Sequence, residues 1–295
     1  HFPGFTLGPL ELSAIGRLQG KPVQGAFKRL LQMLPELRTP FVISLMQHRS
    51  VRAANIPALI DAEQIDRETG YADILALGFD ALLETLPPEE TTCIEALAIF
   101  PPRVPLLRNL IQRFWKQLVP HFSEERSDAL LDRLETWHAI QPRRLSNLIT
   151  ISAPFMLGIS ERFHNRLQTY TDAFLTLFTP ESIMQDARHS DTYVFRYYLH
   201  HLNQAGRQTD VLNLLLNAQW ILARLQHGDV RSLLRSYRYA HADLTIRLVE
   251  EAIRLAAPIL DDIPQEASVQ LIGRLNGLSV QAVGALVDAL RAHLP

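Results

Sequence analysis

Gly16-Arg17-Leu18-Gln19-Gly20-Lys21 has the residue types of a phosphate-binding loop but not the spacing. Such a loop needs four residues between its glycines and a Ser or Thr after the lysine. Its backbone amides can then curve around phosphate while a hydroxyl reaches magnesium. Here three residues separate the glycines, Pro22 follows the lysine, and no strand pattern precedes. The stretch is rejected as a nucleotide site. His200 and His201 are the next candidates, as metal ligands. Neighbours on a helix point about 100° apart and cannot chelate one ion together, and no second pair at ligand spacing accompanies them. No serine falls on a strand-to-helix elbow of the hydrolase kind. The lone cysteine, Cys93, sits on an apolar helical face, where a free cysteine acts as a small hydrophobe. Neither an enzyme nor a metal protein is expected from these residues. Arg108, Arg113 and Lys116, with Arg143 and Arg144 at a turn, form a basic set that could contact phosphates. Glu124 and Glu125 beside them and a net charge of −2 oppose that use, so nucleic acid is not an expected partner.

The bulk properties exclude several classes. With 295 residues, of which 47% are hydrophobic, the chain can form one large domain or two to three small ones and is not a disordered polymer. No apolar run approaches the ~18 residues that suggest a membrane span, and no signal peptide is visible. One cysteine permits no internal disulfide, which fits a reducing compartment, and a cytoplasmic location is expected. Because the chain begins with His1 and not Met, a fragment of a longer protein is expected.

The elements that position these residues are mostly helices. From Tyr71 to Pro120 the pattern gives three amphipathic segments closed by prolines. Ile74, Leu75, Phe79, Leu82, Leu83 and Leu86 mark the first. Pro87 and Pro88 end it and open the second, with Glu89 and Glu90 in its first turn and Cys93, Ile94, Leu97 and Ala98 inward. Phe100-Pro101-Pro102 stops that helix, and a third is expected from Pro105 to Leu118. Ser123 reads as an N-cap for a fourth. Ala139-Ile140-Gln141 and Leu148-Ile149-Thr150-Ile151 read as two strands joined at Pro142-Arg143-Arg144. Phe41 to Met46 is equally compatible with strand or helix. A long helix is expected over Ile159 to Phe178. Further helices follow at Tyr193–Ala205, Thr209–Asn217, Trp220–Leu225, Val230–Tyr239, Leu244–Leu260, Ala267–Leu275 and Val280–Leu294. Gly206 is expected as a helix-ending glycine, and Trp220 as a core anchor rather than an exposed contact. No repeat of constant period is present, which disfavours a tetratricopeptide-like array.

Several of these residues also resemble a known family. Phe79-Asp80-Ala81-Leu82, Leu86-Pro87-Pro88-Glu89, Leu97-Ala98-Ile99-Phe100-Pro101 and Val104-Pro105 stand in the order found in the winged helix of NB-ARC (STAND) signal-transduction ATPases. These include the apoptotic protease-activating factor and its WD-repeat relatives. Tyr197-Tyr198-Leu199-His200-His201-Leu202, Trp220 to Leu225 and Gln270 to Leu275 resemble the helical domain that follows it. Pro9-Leu10-Glu11-Leu12 resembles the end of the family's GLPLAL motif, so the resemblance implies an ADP or ATP contact at Pro9. The family's phosphate-contacting His-Asp pair corresponds to Ser152 and Ala153, which cannot serve that role and put nucleotide sensing by this chain in doubt. The implied fold is mainly α: a winged-helix domain with a small β-hairpin, then an all-α helical bundle. The implied domains are a helical segment over 1–70, a winged-helix domain over 71–158 and a helical domain over 159–295. The implied function is regulatory and non-catalytic, relaying nucleotide state. No cofactor is expected in this chain, ADP or ATP belonging to the parent protein. The expected partners are the parent's ATPase core and WD-repeat sensor, and a homo-oligomer on activation. A winged-helix DNA-binding regulator and a free-standing helical adaptor are the alternatives.

Overall fold

Prolines mark where the first helices begin and stop. In the computed structural model, which describes residues 39–47, 75, 78–80, 82–143, 146–187 and 193–294, the architecture is mainly α with one small three-stranded antiparallel sheet. The chain divides into two compact units, His1–Leu167 and Gln168–Pro295. Pro9 and the Gly16–Lys21 stretch lie outside the described residues, as does most of segment 1–70. No helix among the described residues is long and apolar enough to cross a membrane.

In the first unit, the Phe41–Met46 ambiguity resolves as helix α1, Pro40–Gln47. Helix α2, Pro88–Ala96, starts on Pro88 with Glu89 and Glu90 in its first turn. It runs into a 3₁₀ turn, Leu97–Ile99, before Phe100 turns extended. The expected helix over Pro105–Leu118 needs correction. Pro105–Leu107 is strand β1, and helix α3 begins only at Arg108 and ends at Leu118. An apolar Pro-Leu-Leu run has no period of its own, and what decides is the open edge of a later strand. Helix α4, Glu124–Thr136, follows, with the Ser123 side chain accepting from the Arg126 amide as expected of an N-cap. Strands β2, Ile140–Pro142, and β3, Leu148–Ile151, form the foreseen hairpin. The sheet order is β1-β3-β2. Leu106 faces Ile149 in one ladder, and Ile140 faces Ile151 in the other. Both prolines of the sheet, Pro105 and Pro142, sit on edge strands, where a missing donor is tolerated. The order is thus helix, strand, helix, helix, hairpin, and not three helices before a hairpin.

Helix α5, Ala153–Phe163, follows β3 directly, with Pro154 in its first turn. The expected long helix over Ile159–Phe178 is broken. A 3₁₀ turn, His164–Arg166, separates α5 from helix α6, Leu167–Leu175. His164, Asn165 and Arg166 are exposed, so no buried side chain holds that turn in α-helical phase. So short a change of pitch leaves the apolar period intact on both sides, which is why the pattern concealed it. The division between units falls after Leu167, leaving α5 in the first. Phe155 on α5 packs edge-on to Phe41 at 5.3 Å and against Phe79 at 5.4 Å, and Phe41 meets Phe79 at 5.6 Å. A Cβ at Gly158 would lie 2.2 Å from the Phe79 ring.

The second unit is a set of helices in which sequence neighbours pack on one another. These are α6, α7 (Pro180–Ala187), α8 (Tyr193–Gln204), α9 (Gln208–Leu215), α10 (Ala218–His227), α11 (Val230–Tyr237), α12 (Leu244–Leu260), α13 (Ala267–Leu275) and α14 (Gln281–Arg291). Most follow the periodicity within a few residues, and α12 and α13 match it at both ends. Helix α7 was not foreseen. Its signal is Thr179-Pro180-Glu181-Ser182: the Ser182 amide donates to Thr179 Oγ1 at 3.2 Å and the Thr179 amide to Ser182 Oγ at 3.1 Å. That is a capping box with serine in the place of glutamate. Asn217, Asp229 and Asp243 cap α10, α11 and α12 in the ordinary way, each accepting from the amide three residues on. Gly206 has φ +71° and Gly277 φ +89°, the left-handed ends that glycine adopts without strain. Trp220 is 1% exposed and packs against Phe195 at 5.6 Å and Tyr198 at 6.2 Å, which answers the question about it in favour of the core.

Two stability outcomes follow from this packing. Gly158→Ala gains helix propensity of up to ~1 kcal/mol, yet the Phe79 ring is held by Phe41 and Phe155 and cannot move aside. A net loss of ~1–3 kcal/mol is expected from overpacking, read as a lower urea midpoint with unchanged slope. Trp220→Ala is expected to lose ~3–5 kcal/mol through lost burial and the cavity left behind. An unchanged melting temperature in that variant would contradict the packing described.

Candidate functional site

The residues that could bind a charged partner lie on α3, α4 and the hairpin. Arg108, the first residue of α3, does not face solvent as a phosphate contact. Its Nε donates to Asp128 Oδ1 at 2.9 Å and its Nη2 to Asp132 Oδ1 at 2.7 Å. Those carboxylates hold its guanidinium charged and raise its pKa against the opposing effect of burial. Gln112 Nε2 also donates to Asp128 at 2.9 Å. The two arginines of α4 are tied back to α2, Arg126 to Glu89 at 2.6 Å and Arg133 to Glu90 at 2.5 Å. What α4 presents outward is acidic: Glu124, Glu125, Asp132 and Glu135 are exposed. Lys116 and Arg113 line a separate cavity of about 470 Å³ with Asn109, His121 and Phe122. Arg143 is exposed on the hairpin, and Arg144 lies outside the described residues. The basic set read from the sequence is therefore dispersed by the fold. The acidic residues of α4, spaced one turn apart, are brought onto one face.

At the junction of β3 and α5, Ser152 is the N-cap residue, but its side chain makes no cap hydrogen bond. Its amide donates to Ala139 O at 2.9 Å. Its Oγ is buried without a hydrogen-bond partner among the described residues. Ala153 opens the helix. The pair offers one hydroxyl and no charge. Farther along, Arg166 in the 3₁₀ turn donates to Glu95 Oε2 at 2.8 Å. The Glu95 side chain is only 5% exposed, so this is an ion pair at the edge of a core and not a loose surface contact. Arg162 also pairs with Asp80.

Cys93 is fully buried. Burial and the nearby Glu90 push its thiol up to about 12, so it stays protonated at neutral pH and is no nucleophile. In the second unit, His200 and His201 diverge as their adjacency requires. His201 is fully buried, its Nε2 hydrogen-bonded to Tyr193 Oη at 2.8 Å, with Phe174 packed on its ring at 4.6 Å. Burial, then the neighbouring His200, lowers its pKa to about 3. His200 reaches Tyr239 through Nδ1 at 3.4 Å, and its pKa is lowered by burial and by Arg238. No group of three potential metal-binding side chains occurs among the described residues. A polar cleft of about 430 Å³ in this unit is lined by Gln185, Gln219, Gln226, Gln265 and His227 over an apolar floor that includes Leu222.

His201 makes stability depend on pH. It is neutral in the fold, with a pKa lowered from 6.5 to about 3, so the unfolded chain takes up a proton first as pH falls. Its contribution is complete above pH 6.5 and declines from there toward pH 3, by up to ~1.4 kcal/mol per pH unit. His201→Gln, which can still hydrogen-bond Tyr193, is expected to be less stable at pH 7.5 and to show a shallower loss on acidification. Urea midpoints of both proteins between pH 7.5 and 4.5 measure this, and parallel pH curves would contradict it.

Comparison with known proteins adds one finding. No curated protein matches the chain. Residues 163–261, from the last residue of α5 to the residue after α12, match the family model described as the APAF-1 helical domain. Over that span the chain carries an APAF-1-like helical domain.

Proposed function

We propose that this chain is a regulatory, non-catalytic region of an NB-ARC-type signalling ATPase, with a winged helix preceding an APAF-1-like helical domain. In this reading it relays nucleotide state between an ATPase core and a sensor of the parent protein and works through protein–protein contact in the cytoplasm. The observation that carries the reading is the family match over residues 163–261. The element order of the first unit supports it: helix α2, strand β1, helices α3 and α4, then the hairpin, in the sheet order β1-β3-β2. The Pro9 contact belongs to the same reading and rests on resemblance alone.

The main competitor is a winged-helix DNA-binding regulator. In a helix-turn-helix the second helix lies in the major groove, and here that helix is α4. Its sequence holds five carboxylates against two arginines; both arginines are engaged with glutamates of α2 and Asp128 and Asp132 with Arg108, which leaves Glu124, Glu125 and Glu135 outward. A face of that charge repels the phosphate backbone, whose neutralisation supplies most non-specific affinity. The free-standing adaptor has no particular observation in its favour.

Two measurements test the proposal. Calorimetry with ATP or ADP is expected to show no binding at micromolar ligand and no turnover, because the sequence carries no phosphate loop and Ser152 and Ala153 offer no positive charge to a phosphate. Tight binding or hydrolysis by this chain alone would overturn the non-catalytic assignment. Duplex DNA is expected to bind more weakly than the ~10⁻⁸ M reached by specific contacts at physiological salt. A nanomolar gel shift that survives competitor DNA would move the assignment to the DNA-binding regulator.

A further inference from the structure

Arg224, on α10, is 1% exposed. Its Nη1 donates to the Phe195 carbonyl on α8 at 2.7 Å, its guanidinium lies 4.8 Å from the centre of the Phe195 ring, and its Nη2 donates to the Ser232 hydroxyl on α11. One cation therefore joins three helices, and its contact on α11 is a hydroxyl. Ser232 is half-buried and occupies the third position of α11, its amide held by the capping Asp229 at 2.6 Å. Arg231 precedes it, and Arg235 lies one turn on, with Nε donating to the Arg231 carbonyl at 3.3 Å. Both arginines are exposed, and neither makes an ion pair among the described residues.

We infer that Ser232 is a phosphoacceptor whose phosphate is received by Arg224 and the Arg231–Arg235 pair at the start of α11. A phosphate in the first turn of a helix is favoured by the dipole and opposite an arginine cluster gains charge-assisted hydrogen bonds. All three conditions meet at this residue: position in the first turn, a guanidinium already in contact, and a second arginine at i+3 on the same face. Asp229 is the one carboxylate in the same turn and works against the phosphate, but three guanidiniums outweigh it. The donor is a nucleoside triphosphate delivered by a protein kinase. The Ser232 Oγ–P bond forms as the bond from phosphorus to the departing nucleoside diphosphate breaks, and the hydroxyl proton passes to the kinase's base. Ser232 is itself only half-buried, and Gly228, Asp229 and Arg231 beside it are exposed, so a kinase reaches it from that side of the turn. The consequence is a tighter junction: the contact of the Arg224 cation with an uncharged hydroxyl becomes an ion pair that clamps α11 to α10 and, through Arg224, to α8. This inference does not depend on the assignment proposed above.

The test uses the full chain with phosphoserine installed by orthogonal translation at 232 and, as an exposed control, at 279. Phosphorus NMR titration reads the second ionisation of each phosphate, which is near pH 6 for a free phosphoserine. The expected result is a midpoint at 232 at least about one unit below that at 279, together with a higher melting temperature than the unmodified chain. Arg235→Gln, an exposed change that leaves the buried Arg224 in place, is expected to return part of the ionisation shift. Equal midpoints at 232 and 279 would overturn the inference. So would a phosphorylated chain that melts earlier than the unmodified one.

Discussion

Strand β3 must be paired on both edges, and the order of the first unit follows from that requirement. Leu148–Ile151 runs between β1 and β2, with Ile149 and Ile151 buried. A buried strand cannot leave its amides and carbonyls unpaired, since each orphan forfeits most of a hydrogen bond. The hairpin supplies one partner. The other comes from Pro105–Leu107, about forty residues earlier, and this is why α3 cannot begin where its apolar residues first allow. The same pairing brings α3 and α4 over the sheet, with Leu110, Phe114, Leu130 and Leu134 buried.

The second unit has no sheet among the described residues, so side chains must supply what the ladder supplies in the first. Trp220 and Arg224, one helical turn apart on α10, both contact Phe195. The tryptophan fills volume, while the arginine donates to a carbonyl of α8 and a hydroxyl of α11. Gly228 fits close behind: a Cβ there would come within 2.7 Å of the Arg224 carbonyl. Tyr237 adds a comparable tie, donating from its buried hydroxyl to the Leu215 carbonyl at 3.0 Å. Polar groups of this kind are tolerated in a core only when each finds a partner, and together they limit how the helices can slide.

Charge, rather than fold, separates the functional readings. A helical pair before a hairpin is compatible with DNA binding or with protein packing, and architecture alone does not choose. The choice turns on where the arginines of α3 and α4 end up. Arg108, Arg126 and Arg133 all close ion pairs inside the unit, and the outward face of α4 is left to carboxylates. Exposed ion pairs of this sort add little stability individually. Their effect here is on the surface, because they remove positive charge from the face that a nucleic acid would need.

Much of this was legible in the residue order, where the signal is local. Helix boundaries set by Ser123, Gly206 and the Pro87-Pro88 pair were readable because a cap or a proline acts on its own turn. The burial of Cys93 followed from its place on an apolar face. The misread elements share a cause. Pro105–Leu107 is a strand because of a partner far away in sequence. The turn at His164–Arg166 interrupts a helix without disturbing its apolar period. Helix α7 announced itself only through a serine variant of the capping box. At the site, the sequence supplied the arginines and the carboxylates but not their pairing. Whether Arg108 faces solvent or Asp128 is decided by the crossing of α3 and α4. The Arg224–Ser232 contact likewise exists only because three helices meet there. Residue order by itself determined the helical class and the local caps. Tertiary structure decided which charges remain available, because pairing depends on distance in space, and local periodicity carries no record of it.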